Sequence, residues 1–261
     1  MHKIGVVSFK GGVAKTSTAV AIASGFKIQK PESRVLLIDT DPQGSLRSYF
    51  SLRLKDKADF ADFLIDGTLQ PDGFHQVKTD GGTIDLFLTS KRLGSLEQEL
   101  AGKPKQDELL SVRFKKSGLE SHYDYVVLDT SPAMGLMNLN VFTFVDSIVI
   151  PVSLDAFAIP TVEAVLSNLE SLAEFYDKVP QVLGISPTRL DSRSTQEKTA
   201  LEAIKNRYSS RIKIYDPIGM DAGVKRAAVK KQVIYDLNVR ASAQYELFTA
   251  KVLEQISGVQ Q

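Results

Sequence analysis

Lys3-Ile4-Gly5-Val6-Val7-Ser8-Phe9 runs directly into Lys10-Gly11-Gly12-Val13-Ala14-Lys15-Thr16-Ser17, and the reading of this junction decides the fold. The first stretch is short and almost wholly apolar, the pattern of a strand buried on both faces. The second brings two glycines, a lysine and hydroxyls to the start of a helical pattern. Strand, glycine turn, lysine, hydroxyl and helix is the order that a phosphate cradle needs. Glycines let backbone N–H groups converge on an anion without Cβ clashes, and the helix N-terminus adds partial positive charge. Lys15 is expected to reach the outer phosphates of a nucleoside triphosphate and the Thr16 hydroxyl to ligate Mg2+. Lys10, Gly11, Gly12, Val13, Ala14 and Ser17 complete the expected cradle. The pattern G-x-x-x-x-G-K-[ST] is not met, because Phe9 and Ala14 stand where its two glycines would be. What is met is the variant K-G-G-x-x-K-[ST].

Working outward, further apolar runs at 34–39, 83–88, 124–129, 147–152 and 181–186 alternate with stretches of helical periodicity. In Pro160–Phe175 the residues Val162, Val165, Leu166, Leu169, Leu172 and Ala173 form one stripe, and Pro160 suits a first helical turn. A last helix is expected over about Arg240–Ile256, with Ala241, Tyr245, Phe248, Val252 and Ile256 on its apolar face. Apolar strands separated by helices predict an α/β fold, one doubly wound, mostly parallel sheet covered on both faces. A single domain over 1–261 is expected, with no room before the phosphate loop for a helix-turn-helix. The segment 51–80 is rich in charge and reads as loop.

Two acidic strand ends support the cradle. Asp39-Thr40-Asp41-Pro42-Gln43-Gly44 places two carboxylates at strand spacing, at the edge where ligands bind in such sheets. The run Tyr125-Val126-Val127-Leu128 ends in Asp129-Thr130-Ser131-Pro132. An apolar strand ending in one acid suits a group that must meet Mg2+ or its bound water.

Composition removes several chemistries. The chain of 261 residues has no cysteine, so disulfides, thiolate catalysis and cysteine-held zinc or iron–sulfur clusters are excluded. Its three histidines, His2, His75 and His122, share no metal-like spacing. No apolar run reaches membrane-spanning length, no secretory signal pattern precedes the first strand, and a cytosolic location is the simplest reading. The net charge of +1 conceals an asymmetry. The stretch 185–240 holds twelve Lys/Arg and six Asp/Glu, a balance of +6, and the remainder carries −5. A positive final third suits a polyanion partner, and it equally suits solvated helix faces.

The chain resembles the ParA/MinD group of deviant-Walker ATPases, and within it the ParA/Soj type. The likeness is carried by Lys10-Gly11-Gly12-x-x-Lys15-Thr16, then Asp39-x-Asp41-Pro42-Gln43, then Asp129 with Pro132. It continues through Ser147–Ala158 and, more weakly, to Leu190-Asp191-Ser192-Arg193 and Val233-Ile234-Tyr235-Asp236. The resemblance implies an ATP-dependent sandwich homodimer with ATP and Mg2+ as its cofactors. Lys10 would cross to the partner subunit's nucleotide. Lys15 and Thr16 would bind phosphate and metal, Asp41 would position or activate the attacking water, and Asp39 and Asp129 would sit around the metal. Base recognition falls loosely around Pro217 and Met220. Ala14 departs from the glycine commonest in Soj-like proteins, and Thr130-Ser131-Pro132 from the more usual Cys/Ser-Pro-Pro run.

Within the group, iron–sulfur members need cysteines and capsule-type kinases a Tyr-rich tail. MinD-like members end in a basic amphipathic helix, whereas the tail Leu253–Gln261 has no Lys or Arg and reads as a poor membrane anchor. DNA-binding ParA-like members remain. They imply non-specific DNA binding through Lys/Arg–phosphate contacts, a nucleoid-associated location and a ParB-type centromere-binding partner or cargo adaptor. The residues expected at DNA are Arg193, Lys225, Arg226 and Lys230. The alternatives are a regulatory ATPase acting at a membrane or on a protein, and a metabolic enzyme of the dethiobiotin-synthetase type.

Overall fold

The computed structural model describes residues 1–54, 57–69, 73–237 and 239–258, with the side chain of Lys225 outside the described set. Seven strands form one sheet: β1 (His2–Val6), β2 (Val35–Asp39), β3 (His75–Thr79), β4 (Gly82–Phe87), β5 (Tyr125–Asp129), β6 (Ser147–Ser153) and β7 (Gln181–Thr188). Their order is β3-β4-β2-β5-β1-β6-β7, and every pairing is parallel except that of β3 with β4. The helices are α1 (Lys15–Gln29), α2 (Ser45–Phe50), α3 (Phe60–Asp66), α4 (Leu96–Leu100), α5 (Leu109–Ser117), α6 (Leu119–His122), α7 (Leu136–Phe144), α8 (Ala158–Ala173), α9 (Thr195–Tyr208), α10 (Ala222–Lys230) and α11 (Arg240–Gly258).

The apolar strands are buried because both faces of the sheet are covered. Leu36 and Ile38 of β2 point into one core with the side chains of α3, α5, α7 and α8. Val35 and Leu37 point into the other, with α1 and α11. A strand between two helical layers has no polar face, hence the continuous apolar runs. Val162, Val165 and Leu169 of α8 are buried as the stripe requires, while Ala173 at its end is exposed. All five stripe residues of α11 are buried. Leu253 and Ile256 are spent on the core too, so the described end of α11 presents no lipid-facing stripe. Residues 259–261 of the expected tail lie outside the described residues.

The stretch 51–80 is less irregular than its composition suggests. It holds α3, capped where the Asp59 side chain accepts from the Ala61 amide, and the edge strand β3. Thr79 pairs with Gly82 across Asp80-Gly81, and Asp-Gly between strands is a hairpin signal. Its alternation is weak because an edge strand facing solvent has little apolar side to show.

Helix α1, which begins at the phosphate loop, is buried from Thr18 to Phe26. It can be so closely covered because Gly25 lets α11 approach. A Cβ at Gly25 would lie 2.6 Å from Thr249 Oγ1 and 2.8 Å from the Tyr235 hydroxyl. Those two groups bond each other at 3.2 Å, and Tyr235 also donates to the Ala21 carbonyl at 3.1 Å. Gly25→Ala gains about 1 kcal/mol of helix propensity but overpacks a closed contact at a cost of about 1–3 kcal/mol. The expected outcome is net destabilisation of about 1 kcal/mol, read as a lower denaturant midpoint. A midpoint equal to or above wild type would refute the tight α1–α11 contact.

Candidate functional site

The C-terminal ends of β1, β5 and β2 stand in register, with Val6 opposite Asp129 and Asp129 opposite Asp39. Register partners in a parallel pair point to the same face, so the two carboxylates are neighbours. Threonines at or just past the strand ends tie this edge together. Thr40 donates to the Asp129 carbonyl at 2.8 Å, Thr130 to the Val6 carbonyl at 2.8 Å, and Thr188 to the Val152 and Val13 carbonyls at 3.2 and 3.1 Å. The edge opens into a cavity of about 600 Å³ lined by Gly11, Gly12, Ala14, Lys15, Thr16, Ser17 and Asp41, and on its far wall by Ile218, Met220 and Tyr245.

The loop reaches its shape through two left-handed residues, Gly12 at φ 75° and Ala14 at φ 64°. Gly12 meets this without a Cβ penalty. Ala14 does not, and it occupies the N-cap of α1 without a capping side chain, so the loop is held by its surroundings rather than by local preference. Gly11 and Gly12 are exposed, and Val13 is buried beneath them. Lys15 is buried and donates to the Lys10 carbonyl at 3.0 Å. Desolvation lowers its ammonium pKa, and the nearby Asp129 and Asp41 charges oppose the shift.

The three acids differ in environment. Asp39 accepts from the Asp41 amide at 3.1 Å on one oxygen and from the Leu46 amide at 2.9 Å on the other. It thus anchors the start of α2, a use that strand spacing does not reveal. Asp41 lies beyond β2 in a turn, accepting from the Gln43 amide at 2.9 Å, and its carboxylate lines the cavity. Asp129 is 1% exposed, and both of its oxygens are buried without a hydrogen-bond partner. Burial, and then the Asp39 charge, push its carboxyl well upward, while the Thr16 hydroxyl and Lys15 ammonium favour the charged form. Burial likewise raises Asp39, against the amides that hold it. An orphaned carboxylate with a second carboxylate in register and a hydroxyl nearby offers oxygen ligands of the kind a hard divalent cation takes, while the Lys15 ammonium beside them suits an anion.

Lys10 is tied within its own chain. Its ammonium donates to Ser153 Oγ at 3.2 Å, pairs with Asp155 and lies 5.3 Å from the centre of the Phe157 ring. Asp155 lies two residues past the end of β6, whereas Asp39 and Asp129 are the last residues of their strands, so the sequence pattern that marks them does not extend to it. Pro217 does not line the cavity. Its carbonyl accepts from Gln244 Nε2 at 3.3 Å, and the wall is formed by the residues that follow it. Ile218 is held at the end of β7 by its amide bond to the Pro187 carbonyl at 2.9 Å, so the wall at this point falls to Ile218 and to Met220, the other residue expected there.

Of the basic residues expected at DNA, Arg193, Arg226 and Lys230 do not line the cavity. The Arg193 side chain is 89% exposed and forms a two-pronged pair with Asp191, at 3.1 Å on each oxygen. Arg226 and Lys230 are exposed on α10. Lys225 is in the same helix, with its side chain outside the described residues. A bridge between Leu190 and Gly219 sets the Arg193 loop beside the start of α10.

Because Asp129 is raised by burial, between pH 3.8 and its folded value the native carboxyl keeps a proton that the unfolded one has lost. Stability contributed by that proton disappears as pH climbs through the window. Asp129→Asn is therefore expected to stabilise the ligand-free chain, by roughly 1–3 kcal/mol at pH 8 and by less at pH 5. Thermal melts at both values test this, and a melting point that falls at pH 8 would contradict it.

A family model described as an AAA domain, AAA_31, matches residues 1–181. The sporulation initiation inhibitor protein Soj of Bacillus subtilis (strain 168) is 27% identical over 247 residues, spanning 93% of this chain and 94% of Soj. Cobyrinic acid a,c-diamide synthase from Mycobacterium smegmatis, with bound ADP and magnesium, shares the fold at a TM-score of 0.80 and 24% identity, covering 98% of this chain and 95% of that one. An ATP complex of Cyanothece McdA does so at a TM-score of 0.84 and 21% identity, covering 97% and 96%. With the loop, the strand-end acids and the sheet order already in place, the chain belongs to the AAA_31 family of AAA domains, as a ParA/Soj-type ATPase.

Proposed function

We propose that this chain, a single domain over 1–261, is an ATP-dependent dimerising ATPase that binds DNA without sequence preference and serves in DNA partition with a ParB-type partner. The observation that carries the nucleotide part is the buried, unpartnered Asp129 carboxylate beside Thr16 and Lys15, at the foot of an exposed glycine loop. The loop from Lys10 to Ser17 would receive the phosphates, with Lys15 as their fixed cation. Thr16 and Asp129 would hold Mg2+, and Asp39, whose oxygens already accept amide bonds, would meet a water of its shell. The ion, when bound, neutralises charge on the phosphoryl oxygens. Asp41 lines the same cavity and would orient the attacking water.

Lys10 explains how assembly would be coupled to nucleotide. In the single chain its charge is satisfied by Asp155. To reach a partner's nucleotide it must leave that ion pair, so the dimer would form only when a more strongly anionic group faces it. The DNA part is supported by the exposed Arg193, Arg226 and Lys230, since non-specific binding runs on phosphate contacts and counterion release.

The test is co-sedimentation with DNA and, in parallel, with anionic liposomes, in ATP–Mg2+ or ADP–Mg2+. DNA retention is expected with ATP alone, with affinity falling by roughly 10³ between 50 and 200 mM salt if about six phosphates are contacted. Equal retention with ADP would contradict the switch, and retention on liposomes but not DNA would favour a regulatory ATPase without a DNA role. Asp41→Ala is expected to keep ATP binding and DNA retention while losing turnover by a factor of 10² or more, and Lys10→Ala to lose dimer formation and turnover together. Wild-type turnover in either variant would remove that residue from the mechanism.

A further inference from the structure

Arg189 follows the last residue of β7 and takes a left-handed backbone, φ 61°. Arginine has no preference for that region, so the neighbouring structure imposes it. Leu190 continues onto the far wall, its amide donating to the Ile218 carbonyl at 3.1 Å and its carbonyl accepting from the Met220 amide at 2.8 Å. With residues on both sides of it held, Arg189 turns back over the phosphate loop, and its Nη1 donates to the Gly12 carbonyl at 2.9 Å.

That bond completes a pattern. The Lys10 carbonyl accepts from Lys15, the Gly12 carbonyl from Arg189 and the Val13 carbonyl from Thr188. In a trans peptide the C=O and the following N–H point in opposite directions. Fixing the Gly12 carbonyl on a cation therefore sets the Val13 amide facing the other way, and polarises it as an anion donor. The guanidinium also lines both the 600 Å³ cavity and an adjoining one of about 280 Å³ that reaches Lys10 and Asp155. Among the described residues, no carboxylate pairs with it. A guanidinium has five N–H donors, and the Gly12 carbonyl takes one.

We infer that Arg189 is a positioning residue of the phosphate loop, orienting the Gly12–Val13 peptide and adding a second cation beside Lys15 for the phosphate chain of a nucleotide. The inference rests on reading the cavity as a nucleoside-triphosphate site. Uniform loss of phosphate binding separates this role from a merely structural one. The experiment is calorimetric titration of ATP, ADP and inorganic pyrophosphate, each with Mg2+, into the full chain and into Arg189→Asn and Arg189→Lys, alongside ligand-free melting points.

Arg189→Asn keeps a residue that tolerates the left-handed region and removes the cation. It is expected to bind all three ligands about tenfold more weakly, the scale of one charge-assisted hydrogen bond, with a melting point equal to or above wild type. Arg189→Lys, which keeps the charge, is expected to stay within about threefold of wild type. Undiminished affinity in Arg189→Asn would overturn the inference, as would a loss shared equally by Arg189→Lys and accompanied by a lower melting point. If wild type binds ATP–Mg2+ and Arg189→Asn binds it equally well, this inference alone fails. If wild type binds none of the three, the nucleotide reading fails first.

Discussion

A buried carboxyl group whose two oxygens meet no partner at hydrogen-bond geometry is the constraint from which the rest of this site follows. Removing an ionised group from water costs several kcal/mol unless something replaces the lost hydration. Asp129 meets no donor of hydrogen-bond geometry and has Asp39 beside it in register. The surrounding sheet keeps it there because β5 sits between β1 and β2, and the threonines past the strand ends bind neighbouring strands across the edge. The acid cannot turn outward without breaking that edge. Its unmet demand for positive charge falls on Lys15 and Thr16, which line the cavity although Asp129 itself, 1% exposed, does not.

The loop opposite shows the same economy of freedom. Two of the five described non-glycine residues with left-handed backbones, Ala14 and Arg189, lie on this cavity. Neither has a local reason to adopt that conformation; Arg189 is held by its bond to the Gly12 carbonyl, and next to Ala14 the Val13 carbonyl is held by Thr188. Strain of this kind persists only where the surroundings over-determine it. Here the surroundings are the buried helix α1, clamped by α11 through Gly25, and the end of β7. The core thus holds the loop in a shape that a short peptide of the same sequence would not keep.

Charge on the outer surface is less committed. Arg193 is exposed yet already paired with Asp191, and Arg207 and Lys205 pair with Glu163 and Glu202. Exposed pairs of this type contribute little to stability and exchange readily for a stronger anion. Asp191 and Glu202 are already counted in the +6 balance of the final third, so of these pairs only Arg207–Glu163 offsets any of it, and α10 adds the exposed Arg226 and Lys230.

What the amino-acid order alone determined was whatever short-range chemistry imposes. The apolar runs had to be strands between two layers, the Gly-Gly-x-x-Lys-Thr turn had to follow the first of them, and the strand-end acids Asp39 and Asp129 had to share an edge. The weakly patterned β3 was not legible, because an edge strand carries little apolar alternation. Nor was the difference between Asp39, bonded at both oxygens, and Asp129, bonded at neither, since that depends on where α2 begins in space. The anchoring of Lys10 on Asp155 and of Gly12 on Arg189 joins residues more than 140 positions apart. Only the tertiary structure decided those contacts, because a side chain's partner is set by which strand ends the sheet order brings together, and nothing within a few residues of either partner encodes that order.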